Sequence, residues 1–286
     1  MTPRKQTLNM LYRQFTLFYE ADSVSIMKDP KNILITGASS GIGAGLANHY
    51  AAPGISLALS GRNAERLKQI ADQCRSKGAE VETALVDVTN QEAMSQWIKG
   101  LAEGAPLDLV FANAGISGGT GGVMDGEPVD QARQIFDVNL GGVLNTIGPA
   151  LEAMKPRKCG QIAIISSLAG FRGWPSAPAY SASKGAVRFY GEAMRGALRK
   201  AGIQVNVICP GFVTSRITDA NDFHMPMKMS AEKAARIIAA GLAKDKGRIC
   251  FPWPTFFVSW FISVLPDCIA QKILARAPAK GAIKKS

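Results

Sequence analysis

Between Asn32 and Phe251 the chain alternates short apolar runs with longer stretches of helical period, and few folds accept that rhythm. The runs at 33–36, 55–60, 81–86, 107–112, 161–166, 204–209 and 248–251 have strand length. The segments 44–52, 64–77, 91–103, 130–154, 180–200 and 231–243 have the length and spacing of helices. A helix after each strand carries the chain back across the sheet, so successive strands pair in parallel and helices cover both faces. The prediction is an α/β fold with a doubly wound, seven-stranded parallel sheet in a single domain. With 286 residues, 47% of them apolar, the chain is large enough to bury one such core.

In a Rossmann-like sheet of this kind, ligands collect at the carboxyl ends of the strands. The first strand runs straight into Thr36-Gly-Ala-Ser-Ser-Gly-Ile-Gly43, followed by a helix. Gly37, Gly41 and Gly43 let the backbone turn tightly and approach a pyrophosphate, and the helix start offers unpaired N–H groups. The spacing is G-x-x-x-G-x-G, so the commoner G-x-G-x-x-G fingerprint does not apply letter for letter. Ser39, Ser40 and Ile42 complete the proposed cradle. After the second strand, Gly61 takes the place of the acid that binds an adenine ribose hydroxyl, and Arg62 follows it. A guanidinium pairs with phosphate through parallel hydrogen bonds, which favours NADP over NAD. Asp87-Val88 ends the third strand, with a carboxylate placed to accept from the adenine amino group. Asn113-Ala114-Gly115 ends the fourth in another tight turn.

Tyr180 and Lys184 stand four residues apart, one turn along one helix face. An ammonium beside a phenol favours phenolate, so the pair predicts a tyrosine tuned for proton transfer to a carbonyl or alcohol oxygen. Spacing alone is weak evidence for this; its weight comes from what surrounds it.

Taken in order, Thr36–Gly43, Asp87, Asn113-Ala-Gly115, Asn139 in Val138-Asn-Leu140, Ser167, Tyr180-x-x-x-Lys184 and Pro210-Gly211 resemble the short-chain dehydrogenase/reductase family over roughly 31–251. The resemblance implies catalytic roles for Asn139, Ser167, Tyr180 and Lys184. Tyr180 would be the acid/base, and Ser167 would hydrogen-bond the substrate oxygen. Lys184 would lower the tyrosine pKa and hold the nicotinamide ribose, and Asn139 would hold a water in a proton relay. It also places Pro210, Gly211 and Val213 beside the nicotinamide, with Ser215 where a threonine is common. The implied activity is an NADP-dependent interconversion of a carbonyl and a secondary alcohol. A non-catalytic nucleotide sensor or scaffold is the alternative on the same fold, although such proteins typically lose the tyrosine or lysine that is present here.

The substrate is less legible. The segment 217–229 carries His224, Met225, Met227 and Met229, and methionines suit a flexible hydrophobic or lipid-like substrate. From 249 to 266 there is no charge, and Pro252 and Pro254 leave about eleven helical residues, too few to span a bilayer. Three uses are open for 252–286: a lid over the substrate, a subunit interface of a homo-oligomer, or a peripheral membrane contact. The last of these would join the aromatic run to the basic residues Lys272, Arg276, Lys280, Lys284 and Lys285. The net charge of +11 is dispersed without a nucleic-acid motif, so no nucleic-acid partner is expected. Five scattered cysteines show no C-x-x-C spacing, which predicts no metal site and suits a reducing cytoplasm; a membrane contact, if that is the use of 252–286, would be with the inner face. Residues 1–30 read as an N-terminal extension.

Overall fold

A computed structural model describes residues 27, 29–121, 126–219, 225–276 and 280–281. Residues 1–26 and 28 of the 1–30 extension, His224, Lys284 and Lys285 lie outside the described residues.

The strands are β1 (Asn32–Ile35), β2 (Ser56–Ser60), β3 (Glu80–Ala84), β4 (Leu109–Ala112), β5 (Gly160–Ile165), β6 (Ile203–Pro210) and β7 (Arg248–Phe251). They form one parallel sheet in the order β3-β2-β1-β4-β5-β6-β7. The helices are α1 (Gly41–Tyr50), α2 (Ala64–Arg75), α3 (Gln91–Gly104), α4 (Val129–Phe136), α5 (Gly142–Met154), α6 (Pro178–Leu198), α7 (Arg216–Asp219), α8 (Ala231–Leu242), α9 (Trp253–Val264) and α10 (Asp267–Leu274).

Alternation along each strand divides the core. Ile33, Ile35, Leu109 and Phe111 pack with Leu46 of α1, Leu67 of α2 and Ile238 of α8. Leu34, Val110 and Ala112 point the other way, onto Ile98 of α3, Ile147 of α5 and Val187 of α6. Successive Cβ atoms of a strand face opposite sides, so continuous apolar runs bury both faces. The chain reverses direction across the sheet between β1 and β4, which opens a crevice at their carboxyl ends.

Two departures from the sequence reading matter for function. The stretch 130–154 is not one helix: α4 and α5 are joined by a π-helical turn at Asp137–Gly141, with Asn139 fully buried inside it. At the other end, the uncharged segment forms α9, and a further helix, α10, folds back beside it. Ile262 of α9 meets Ala270 and Leu274 of α10 and the Trp174 ring. The outer face of α9 leaves Trp253, Phe257, Trp260 and Phe261 exposed. No helix among the described residues is long and apolar enough to cross a membrane.

Candidate active site

The glycine turn is held by short polar side chains. Thr36 Oγ1 donates to the Phe111 carbonyl at 3.2 Å and accepts from the N–H groups of Asn113 and Ala114 at 3.0 and 3.2 Å. Asn113 Nδ2 donates to the Thr36 and Gly37 carbonyls at 2.8 and 3.2 Å. The turns after β1 and β4 are thus one unit. The Asn113 side chain turns inward and pins the loop. Gly37 has φ +67° and Gly41 φ +54°, the region glycine occupies without strain. A Cβ on Gly43 would lie 2.4 Å from the Gly37 carbonyl oxygen, and one on Gly41 would lie 2.7 Å from Ser215 Cβ. The second contact brings Ser215 onto the same loop. Ser40, the α1 N-cap, makes no side-chain capping bond, and the first turn holds no acid. The unpaired N–H groups there suit a phosphate.

The residues expected to be catalytic meet across the ends of β4 and β5. Ser167 caps the 3-10 turn Leu168–Phe171, accepting from the Ala169 N–H at 3.1 Å, and its hydroxyl also reaches Tyr180. Pro178 starts α6, which puts Tyr180 in the first turn and Lys184 one turn on, beneath it. Lys184 is buried; its ammonium donates to the Ile165 carbonyl at 2.9 Å and lies 6.0 Å from the Tyr180 ring centroid. Asn139 Oδ1 accepts from the Ile116 N–H at 2.8 Å, and its Nδ2 donates to the Ile116 carbonyl and to Ser183 Oγ, each at 3.0 Å. Ser183 Oγ in turn donates to the Tyr180 carbonyl at 2.8 Å. The extra residue of the π turn aims Asn139 at this junction, a frequent use of such bulges. A Cβ on Gly115 would lie 3.2 Å from Asn139 Oδ1 and 3.4 Å from Lys184 Nζ, so these groups surround one small space.

Comparison with known proteins gives the family. Residues 31–225 match the family model described as short chain dehydrogenase. The chain belongs to the short chain dehydrogenase family. Members of this family are oxidoreductases that use nicotinamide cofactors. An uncharacterized oxidoreductase of Myxococcus xanthus is 38% identical over 83% of this chain and 93% of its own length. Another, from Mycobacterium tuberculosis, is 34% identical over 85% and 96%. A short-chain type dehydrogenase/reductase from Mycobacterium marinum superposes with a TM-score of 0.70 at 26% identity, covering 80% of this chain and 97% of that one.

In this dehydrogenase a cleft of about 480 Å³ is lined by Arg62, Asp87, Val138 and Gly141. Arg62 and Asp87 face each other at 4.0 Å, both well exposed. One Asp87 oxygen already accepts from the N–H and hydroxyl of Thr89. Val88 is buried against Gly142, whose added Cβ would lie 2.6 Å from Val88 Cγ2. Gly211 donates to the Phe251 carbonyl at 2.7 Å, the Pro210 carbonyl lies 3.5 Å from Ser167 Oγ, and Val213 bridges to Met229.

The expected depression of the Tyr180 pKa is not found. Burial raises it, and the bond to Ser167 opposes the rise. Lys184 spends a donor on Ile165, and desolvation lowers its own pKa to about 8. Tyr180 is therefore held protonated at neutral pH.

The C-terminal segment packs onto the chain between Ser167 and Tyr180. Phe256 stacks edge-on against Phe171 at 5.6 Å, and Arg172 pairs with Asp267. Farther on, Lys280 comes within 4.8 Å of the Tyr180 ring centroid. The sequence reading left 252–286, Lys280 included, open between lid, interface and membrane contact, and did not place Lys280 beside Tyr180. The glycine-rich run 118–121, against which it lies, was the available signal of close backbone approach.

Proposed function

We propose that this dehydrogenase uses NADP(H) to interconvert a carbonyl and a secondary alcohol on a substrate with an apolar body. The convergence of Ser167, Tyr180, Lys184 and Asn139 beside the glycine turn carries the reading. The turn fits a dinucleotide: without a Cβ, Gly37, Gly41 and Gly43 let the loop close on Ala114, Ser215 and its own backbone, ahead of an uncapped helix start. Arg62, with its side chain 59% exposed at the mouth of the cleft, supports a 2′-phosphate contact. A bound nicotinamide supplies or takes the hydride.

The chain's own residues manage the proton and the charge. Ser167 Oγ hydrogen-bonds the carbonyl oxygen and holds it at the Tyr180 hydroxyl. As negative charge grows on that oxygen, Tyr180, protonated through burial, donates its proton. Lys184 keeps a cation under the ring and limits the cost of the resulting phenolate. Asn139 and Ser183 fix the first turn of α6 and with it the tyrosine. Leu168, Phe171 and Phe256 pack into one apolar cluster, with Met229 at the base of the neighbouring loop, and an apolar substrate body would lie toward this side.

Tyr180→Phe keeps NADPH affinity and loses turnover by about 10²–10⁴-fold, the usual range for removing a general acid. The measurement is NADPH oxidation across a carbonyl panel, and a variant with wild-type rate sinks the assignment. Arg62→Ala lowers the NADPH over NADH preference by roughly tenfold or more, as loss of a charged hydrogen-bond pair implies. An unchanged preference removes Arg62 from the argument.

A further inference from the structure

The last described stretch of the chain lies along the segment that follows β4. Gly119 N donates to the Gly281 carbonyl at 2.9 Å, and Gly121 N donates to the Lys280 carbonyl at 3.0 Å. Only a glycine at 119 admits this approach, because a Cβ there would stand 2.4 Å from the Lys280 carbonyl oxygen and 2.6 Å from that of Ser176. Thr120 N donates to the same Ser176 carbonyl at 3.1 Å, so the tail, the 119–121 segment and the loop before α6 are joined.

The Lys280 side chain turns inward from this backbone pairing. Its ammonium donates to Ser117 Oγ and faces the Tyr180 ring, opposite in role to Lys184. Two ammonium groups therefore flank the catalytic phenol. Lys184 is committed to a backbone carbonyl, whereas Lys280 has a hydroxyl and a ring face. Glu127 offsets part of the Lys280 charge but gives its hydrogen bonds to neutral donors: Oε2 accepts from Ala179 N at 2.7 Å and Oε1 from Gln131 Nε2 at 2.9 Å. Burial lowers the Lys280 pKa to about 8, which leaves it mostly charged at neutral pH. An ammonium carries three donors, and a desolvated cation costs free energy until an anion meets it. A tail lysine with no task would remain in water.

We propose that Lys280 is a substrate-binding residue whose ammonium takes an oxoanion, a carboxylate or phosphate, of a carbonyl or alcohol substrate that also has an apolar body. The substrate class is thus amphiphilic: its oxygen lies at Ser167 and Tyr180, its apolar body against Phe171 and Phe256, and its anionic group at Lys280 and Ser117. This deepens the proposed function and rests on Tyr180 as acid/base. The site geometry also admits an opposite use, a plug that excludes substrate, and the sign of the mutational effect separates the two.

The test compares medium-chain oxo acids with their methyl esters as substrates of the full chain with NADPH. Wild type prefers the acid in kcat/KM by about tenfold or more, mainly through KM, as a charged hydrogen bond at a partly buried site implies. Lys280→Met lowers kcat/KM for the acid about tenfold or more beyond any change for the ester, so the preference is lost, and Lys280→Arg restores most of it. An equal fall on acid and ester marks a structural role and overturns the proposal. A rise on both marks a plug and overturns it as well. Titration calorimetry with decanoate supplies a readout independent of turnover: binding lost in Lys280→Met but kept in Tyr180→Phe supports the oxoanion site. Decanoate binding that Lys280→Met leaves intact overturns it. Loss of the acid/base reading, by contrast, would show as full turnover in Tyr180→Phe.

Discussion

The proposed nucleotide end and the proposed substrate end of this crevice are built by different means. At the nucleotide end, Thr36 and Asn113 tie two strand-end turns together through backbone groups, and every part of the cradle belongs to a motif within a few residues of a strand. At the substrate end, the contacts join segments far apart in the chain. Arg172 meets Asp267, 95 residues on, and Ser117 meets Lys280, 163 residues on. The first end is a pinned backbone surface suited to a ligand of fixed shape. The second is a cover of helices and tail laid over the catalytic loop, and its side chains decide what enters.

Gly43→Ala tests the pinned end with the larger expected effect. The new Cβ would meet the Gly37 carbonyl at 2.4 Å and Asn113 Nδ2 at 2.6 Å, atoms held by the Thr36 network. Forcing a methyl into a packed site costs typically about 1–3 kcal/mol, so the melting temperature falls and NADPH affinity drops roughly tenfold to a hundredfold. Calorimetric titration checks the affinity. A variant that binds normally would mean the loop can yield, and the contrast between the ends would collapse.

This asymmetry also decided what could be read from the sequence. Seven strands in parallel follow from apolar runs whose alternate residues, such as Leu34 against Ile33 and Ile35, feed opposite cores. The glycine turn and the Tyr180–Lys184 pair are local, and Pro178 sets their helix in register. The π turn at Asn139 was hidden because apolar residues continue on both sides of it, and only shifted hydrogen bonds mark the extra residue. The inward turn of Asn113 was hidden because its partners belong to another strand. Lys280 was hidden for a stronger reason: its docking rests on backbone bonds to 119–121, and backbone donors carry no sequence pattern. The rise in the Tyr180 pKa is of the same kind, since burial comes from the assembled cover and not from the helix spacing that placed Lys184.

Gly119→Ala is the matching test at the substrate end. Its Cβ would collide with the Lys280 carbonyl and the Ser176 carbonyl, displacing the tail without touching the glycine cradle. The expected result is unchanged NADPH affinity with a change of roughly tenfold or less in kcat/KM for the carbonyl substrate, the scale of a lost hydrogen bond or two. Equal damage to NADPH affinity would show that the two ends are mechanically one.

The smallest effect lies in the pH dependence of stability, and it isolates the buried cations of the catalytic side from exposed ones such as Arg62. Burial lowers both Lys184 and Lys280 to about 8, whereas an unfolded lysine titrates near ~10.4. Below about pH 8 both states hold the proton, and the folded chain bears the full penalty of a desolvated charge. Between about pH 8 and 10 the unfolded chain holds more protons than the folded one, so these groups make stability rise with pH. Above about pH 10 the raised Tyr180 pKa acts in the opposite sense, because the unfolded phenol releases its proton first. Lys280→Met removes one of the two cations. Measured by urea midpoints, the variant should be more stable than wild type at pH 7, and the gap should shrink toward pH 10. A gap that does not change with pH would mean that Lys280 keeps its water, and the substrate end would then offer no desolvated cation to an anionic substrate.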